Sequence, residues 1–148
     1  MDDTDAVAGA SYEPPTPSSE IDWERLLAHL PVIAAPEFVA GVWVDMEHRD
    51  DGSWSMPYVE LSAAALAFVA SASAAMFPFD YRQWWFDGGR RLVEEPHAVD
   101  EATLDDIRRL LTLHIRNDRF MEGHLLHAFE SGHMVRVLQR IAALTRDT

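Results

Sequence analysis

Residues 38–61 read FVAGVWVDMEHRDDGSWSMPYVEL, and here the hydrophobic pattern of the chain changes from helical to alternating. Successive side chains of a strand point to opposite sides, so Val42, Val44 and Met46 share one face and Trp43, Asp45 and Glu47 the other. Asp51-Gly52 supplies a turn, and Trp54, Met56 and Tyr58 resume the alternation. The segment therefore predicts a β-hairpin. Pro57 has no N–H to give to a ladder, which puts its strand at an edge or at a bulge. Two strands are marginal alone in water, so the ribbon must lie on helices or pair with another chain.

On either side of the hairpin the chain reads as helix. Upstream, Ser19 and Asp22 have the spacing of a capping box, and Ile21, Leu26, Leu27 and Leu30 follow at helical intervals, ending near Leu30 because Pro31 disfavours a helical residue before it. Downstream, Ser62 caps an Ala-rich helix to about Met76, and Asp80 caps a segment with Tyr81, Trp84, Trp85 and Leu92. Gly88-Gly89 interrupts that segment: residues 80–93 form either one kinked helix, with a tight contact at the glycines, or two shorter helices. Asp100 is placed to cap a long helix bearing Leu104, Ile107, Leu110, Leu111 and Ile115, which Asn117-Asp118 breaks or bends. A helix to about Glu130, a Ser131-Gly132 connector and a last helix with Met134, Val135, Leu138 and Ile141 complete the pattern. The expected fold class is α+β: a mostly helical single domain, residues 19–148, with one small antiparallel β-hairpin packed on helices. Residues 1–18, acidic and carrying Pro14, Pro15 and Pro17, have too few large apolar groups to offset chain entropy and read as a disordered tail.

Composition narrows the chemistry. The 148 residues are 48% hydrophobic, and 12 basic side chains, all Arg, face 25 acidic ones for a net charge of −13. The absence of Cys removes thiol nucleophiles, disulfides and cysteine metal sites; the absence of Lys removes Schiff-base chemistry and the phosphate-binding lysine of a P-loop. The negative charge opposes binding to nucleic acid or to anionic membranes. It is uneven, however: residues 1–60 hold 13 acids and 2 Arg, whereas residues 61–148 hold 12 acids and 10 Arg. The Ser131-Gly132 junction has the outline of a helix-turn-helix, but Arg136, Arg140 and Arg146 are its only following cations. The one apolar stretch of membrane-like length, Leu61 to Phe79, is mostly Ala and Ser and closes at Pro78. The first twenty residues carry five acids, no base and no apolar run, unlike a secretory signal, and the expectation is a cytoplasmic protein.

Functional groups are densest in residues 114–133, which hold four of the seven His. His124, His127 and Glu130 are spaced by threes on a helix, a weak metal-ligand pattern because each step of three drifts about 60° against the helical period. Arg119 and Glu122 are placed for an ion pair, Asp118 to cap the helix that follows, and Gly123 for a close backbone approach. Trp43, Trp54, Trp84 and Trp85 could make an aromatic pocket, although tryptophans at strand and helix spacing more often fill cores. No nucleophile elbow and no dinucleotide fingerprint occurs.

Met56-Pro57-Tyr58-Val59-Glu60-Leu61, Phe79-Asp80-Tyr81-x-x-Trp84 and above all Arg116-x-Asp118-Arg119-Phe120-x-Glu122-Gly123-His124, with Glu130-Ser131-Gly132 downstream, resemble a bacterial family catalogued only as a domain of unknown function. The resemblance spans roughly Leu26 to Ile141. It implies no activity and no cofactor; it ranks the residues of the 116–124 motif as the first to test. Two functions remain open. The leading one is a small non-enzymatic module that binds another protein or itself. The alternative is a small-ligand-binding protein or metal-dependent enzyme in which Arg119 holds an anion, Glu122 or His124 acts as base or metal ligand, and Asp118 orients Arg119.

Overall fold

The computed structural model describes residues 16–45 and 47–146; most of the expected acidic tail, and Met46, lie outside them. After a 3-10 turn at Ser18–Glu20 come helices α1 (Trp23–Leu27) and α2 (Leu30–Ile33), strands β1 (Gly41–Val44) and β2 (Tyr58–Leu61), and α3 (Ala63–Ser73). Helix α4 (Tyr81–Trp84) runs through a π segment (Trp85–Gly89) into α5 (Arg90–Glu94), and a 3-10 turn at Ala98–Glu101 leads to α6 (Leu104–Asn117). Helices α7 (His124–Glu130) and α8 (His133–Arg146) follow. The chain is thus mostly helical with a two-stranded antiparallel sheet, the expected α+β class.

The core lies where α6 meets α3, α7 and α8. Ile107, Leu110 and Leu111 of α6 and Met134, Val137, Leu138 and Ile141 of α8 are fully buried. The Ala-rich α3 gives little side-chain bulk and one large ring, Phe68, which meets Phe129 edge-on at 5.7 Å. Among the described residues no helix is long and apolar enough to cross a membrane.

Several local expectations change. Thr103, not Asp100, caps α6, accepting from the Asp106 N–H, and Asp100 sits in the preceding 3-10 turn. Asp22 rather than Ser19 caps α1. Pro31 does not end a long helix but lies in the first turn of a second short one, where its missing N–H costs nothing. The continuously laddered part of the hairpin is short, yet its register persists: Val44 faces Tyr58 and, beyond the interruption at Pro57, His48 faces Trp54. The sheet face that meets the helical body carries Trp43, with Val59 and Leu61 packed against the core. The face carrying Val42, Val44 and Tyr58 therefore points away.

One buried charge escaped the periodicity. Arg108 is 4% exposed; its Nε donates to the Ala75 carbonyl at 2.9 Å, its Nη1 donates to the Thr16 carbonyl at 2.7 Å, and its guanidinium covers the Phe77 ring. Burial lowers its pKa, but a guanidinium stays charged, so these carbonyls are what make its position tolerable.

The glycine pair breaks the 80–93 segment for two reasons. Gly88 adopts φ +122°, and a Cβ on Gly89 would lie 2.3 Å from the ring of Trp84, whose Nε1 donates to Asp106. Gly89→Ala should therefore destabilise the protein by about 1–3 kcal/mol in urea unfolding, since the ring cannot retreat without losing that hydrogen bond. Wild-type stability in this variant would refute the contact.

Candidate functional site

The motif of residues 116–124 is built around the left-handed residue Gly123. Helix α6 ends at Asn117, whose carbonyl accepts from the Phe120 and Met121 N–H groups, and the chain turns back to start α7 at His124. The Asp118 carboxylate reaches across this turn to accept the Leu125 N–H at 3.0 Å, one of the donors that the first turn of α7 leaves unpaired. Gly123 has φ +88°, and a Cβ there would lie 2.5 Å from the Trp43 ring. The close approach is real, but it comes from an indole of the hairpin rather than from another helix. Beside it, Glu122 Oε1 accepts the Val59 N–H at 2.9 Å. Trp43 faces Val59 as a non-hydrogen-bonded pair, so that N–H points outward from β2, where Glu122 takes it.

The four residues ranked first are therefore not brought to one place. Asp118 and Glu122 fasten the hairpin and the next helix. Arg119 is exposed and, among the described residues, pairs with neither of them; with Arg116, Phe120, Phe79 and Tyr81 it lines a cleft of about 380 Å³. His124 turns away to a different neighbourhood. The metal-ligand trio also divides: His124 and His127 line one cleft, whereas Glu130 borders a groove beside Phe38 and Phe129. Among the described residues no group of three or more His, Asp or Glu is placed to hold a metal ion. The four tryptophans share no pocket: Trp84 is buried, Trp43 lies on Gly123, and Trp54 stands 61% exposed against His48.

What the structure assembles instead is a histidine cluster. His114 of α6, His124 at the start of α7 and His133 at the start of α8 meet where the three helices join. His114 Nδ1 and His124 Nε2 share a hydrogen bond of 2.8 Å, and the His114 ring lies edge-to-face with His133 at 4.8 Å between centroids. Burial pushes the His114 pKa well below its ordinary value, reinforced by His133 and His124. Burial, then Arg136, His124 and His127, lowers that of His133 to about 4. His124 is lowered by burial against the opposing pull of Asp118. All three imidazoles are neutral near pH 7. Two nitrogens, His114 Nε2 and His133 Nε2, are buried without a hydrogen-bond partner among the described residues. The cluster opens into a cleft of about 420 Å³ that also touches His127, Arg136, Val93 and Pro96.

Sequence reasoning missed His114 and His133. His114 continues the stripe of Ile107, Leu110 and Leu111 at helical spacing, so its burial was readable; its meeting with His133 depends on the angle at which α6 and α8 cross.

A family model described as "Family of unknown function (DUF6508)" matches residues 18–147. No curated protein and no solved structure matches the chain.

Two outcomes follow from this geometry. Gly123→Ala combines a left-handed alanine with a clash on Trp43 and should cost about 2–4 kcal/mol; adding Trp43→Ala should restore part of it by removing the ring, and an additive double variant in urea unfolding would deny the contact. Acid should also destabilise the fold. His133 has a folded pKa below its unfolded one, so the unfolded chain binds more protons below about pH 6.5, and stability present above that pH is lost as pH falls toward 4. From His133 alone the loss between pH 7 and pH 5 is on the order of 2 kcal/mol. Replacing it in His133→Asn should flatten the pH dependence of the melting temperature; an unchanged slope would show that His133 is not held neutral.

Proposed function

The chain belongs to this family of unknown function, no activity comes with the membership, and we propose from geometry that it is a protein-interaction module that takes an extended, basic segment of another protein onto the open edge of β1. The observation that carries this reading is the asymmetry of the hairpin's two edges. Glu122 occupies the outward Val59 N–H of β2, while the outward backbone groups of Gly41 and Trp43 on β1 have no hydrogen-bond partner among the described residues. An open strand edge is a template for strand addition.

Side chains around that edge support the same reading. Val42, Trp43, Trp54, Met56 and Tyr58 are exposed on the hairpin, and Phe120 and Met121 on the turn that receives it. The hairpin's charge indicates the partner. Asp45, Glu47, Asp50, Asp51 and Glu60 face only Arg49 within residues 41–61, which favours an Arg- or Lys-bearing strand and opposes a second acidic hairpin of the same chain. The module is a cytoplasmic one in this reading, consistent with a cysteine-free chain. Nucleic acid is disfavoured as a partner by the net charge of −13.

Amide exchange tests the proposal. A peptide alternating Arg with Val should slow exchange at the Gly41 and Trp43 amides and lose affinity as salt rises, whereas an alternating Glu-Val peptide should do neither. The protein alone should scatter light as a monomer. Unaltered exchange at both amides with the basic peptide would sink the reading; a dimer that protects them would replace the partner with a second copy.

A further inference from the structure

We propose that the cleft at the α6–α7–α8 junction is a binding site for a small organic anion, a carboxylate on an apolar body, which enters together with a proton taken up by the histidine cluster. The proposal is independent of the hairpin edge.

Three observations carry it. The first is the unfinished hydrogen bonding of His114 and His133. In either direction of the His114–His124 bond, His114 Nε2 is left as a bare acceptor or an unused donor, in a side chain only 4% exposed that lines the cleft. Buried polar atoms are normally paired, so an exception calls for a physical explanation, a functional role among them. The second is the set of charges that face the cluster. His127 and Arg136 approach it from α7 and α8, and among the described residues Asp118 is the one carboxylate that acts on it, through His124. Glu94, on the α5 side of the cleft, is paired with Arg90; Asp100, on the preceding 3-10 turn, is paired with Arg136, which also meets His97. A divalent cation would meet Arg136 beside His133, whereas an anion would complement it and would turn the unfavourable charging of a buried imidazole into a paired one. The third is shape. A cleft of about 420 Å³ falls in the range of small-molecule sites, and Val93, Pro96 and Ala128 add apolar lining to it.

Proton uptake makes the binding pH-dependent in one direction only. Above the pKa of the free cluster, a ligand that binds with one proton gains about tenfold in affinity per pH unit of acidification. The sign separates this site from a metal centre, whose imidazole ligands lose affinity on acidification.

The test uses the full chain after treatment with a chelator, titrated near pH 7.5 and near pH 6 with benzoate, 4-methylvalerate and inorganic phosphate, with uncharged benzamide as control. Imidazole 1H–15N resonances and melting temperature are read. Both carboxylates should move the His124 and His133 resonances and raise the melting temperature, more at the lower pH, with phosphate weaker and benzamide inert. His133→Gln and Arg136→Gln, each checked for native circular dichroism, should weaken benzoate several-fold, and Glu130→Gln, outside the cleft, should not. Should His133→Gln fail to fold, Arg136→Gln and the wild-type pH series still decide the matter. Absence of carboxylate binding, binding equal at the two pH values, equal response to benzamide, or tight Zn2+ binding at the same imidazoles would each overturn the proposal.

Discussion

The backbone at Gly123 is the constraint on which both candidate surfaces depend. Its left-handed conformation turns the chain sharply enough for α7 to start at His124, and its missing Cβ makes room for the Trp43 ring. One residue thus sets the entry of the hairpin on one side and the direction of the His124 side chain on the other. Asp118 and Glu122 secure the same turn from its two ends, the first through the backbone of α7 and the second through that of β2. Within the motif that looked most like a reaction centre, the two carboxylates, Asp118 and Glu122, accept from backbone donors, while Arg116 and Arg119 line a separate cleft.

Helix α6 is the second organising element, and it is buried along most of its length with polar groups included. Arg108, Thr112 and His114 are each less than 5% exposed. Two of them are answered: Arg108 by the distant Ala75 and Thr16 carbonyls and the Phe77 ring, Thr112 by its own helix through the Arg108 carbonyl. His114 is only half answered. A helix that buries polar groups must satisfy them or leave a cost in stability, and here the unsatisfied one lines the cleft at the α6–α7–α8 junction.

The fold was legible where periodicity is local. Alternation over 42–47 and 54–58 revealed the hairpin, and capping by Ser62 and Asp80 was readable because a cap acts within one turn. The hairpin's orientation was not, since both of its faces carry apolar residues, and the landing of Trp43 on Gly123 and of Val59 and Leu61 on the core selects one. Thr103 was overlooked as the α6 cap because Asp100 offers equal chemistry three residues earlier; the 3-10 turn at Ala98–Glu101 decides between them. The candidate site was less legible. Sequence places Asp118, Arg119, Glu122 and His124 within seven residues, but a tight turn sends neighbouring side chains in different directions. His114, His124 and His133, spread over twenty residues, meet because three helices converge there.

Convergence also imposes an order of charging. His124 is the least buried of the three and the only one that a carboxylate, Asp118, favours in its protonated form, so it is the first to take a proton as the medium acidifies. It occupies the first residue of α7, where a positive charge opposes the helix dipole, and it adjoins the glycine on which Trp43 rests. The hairpin's foothold and the most readily charged imidazole of the cluster therefore sit on adjacent residues of one turn.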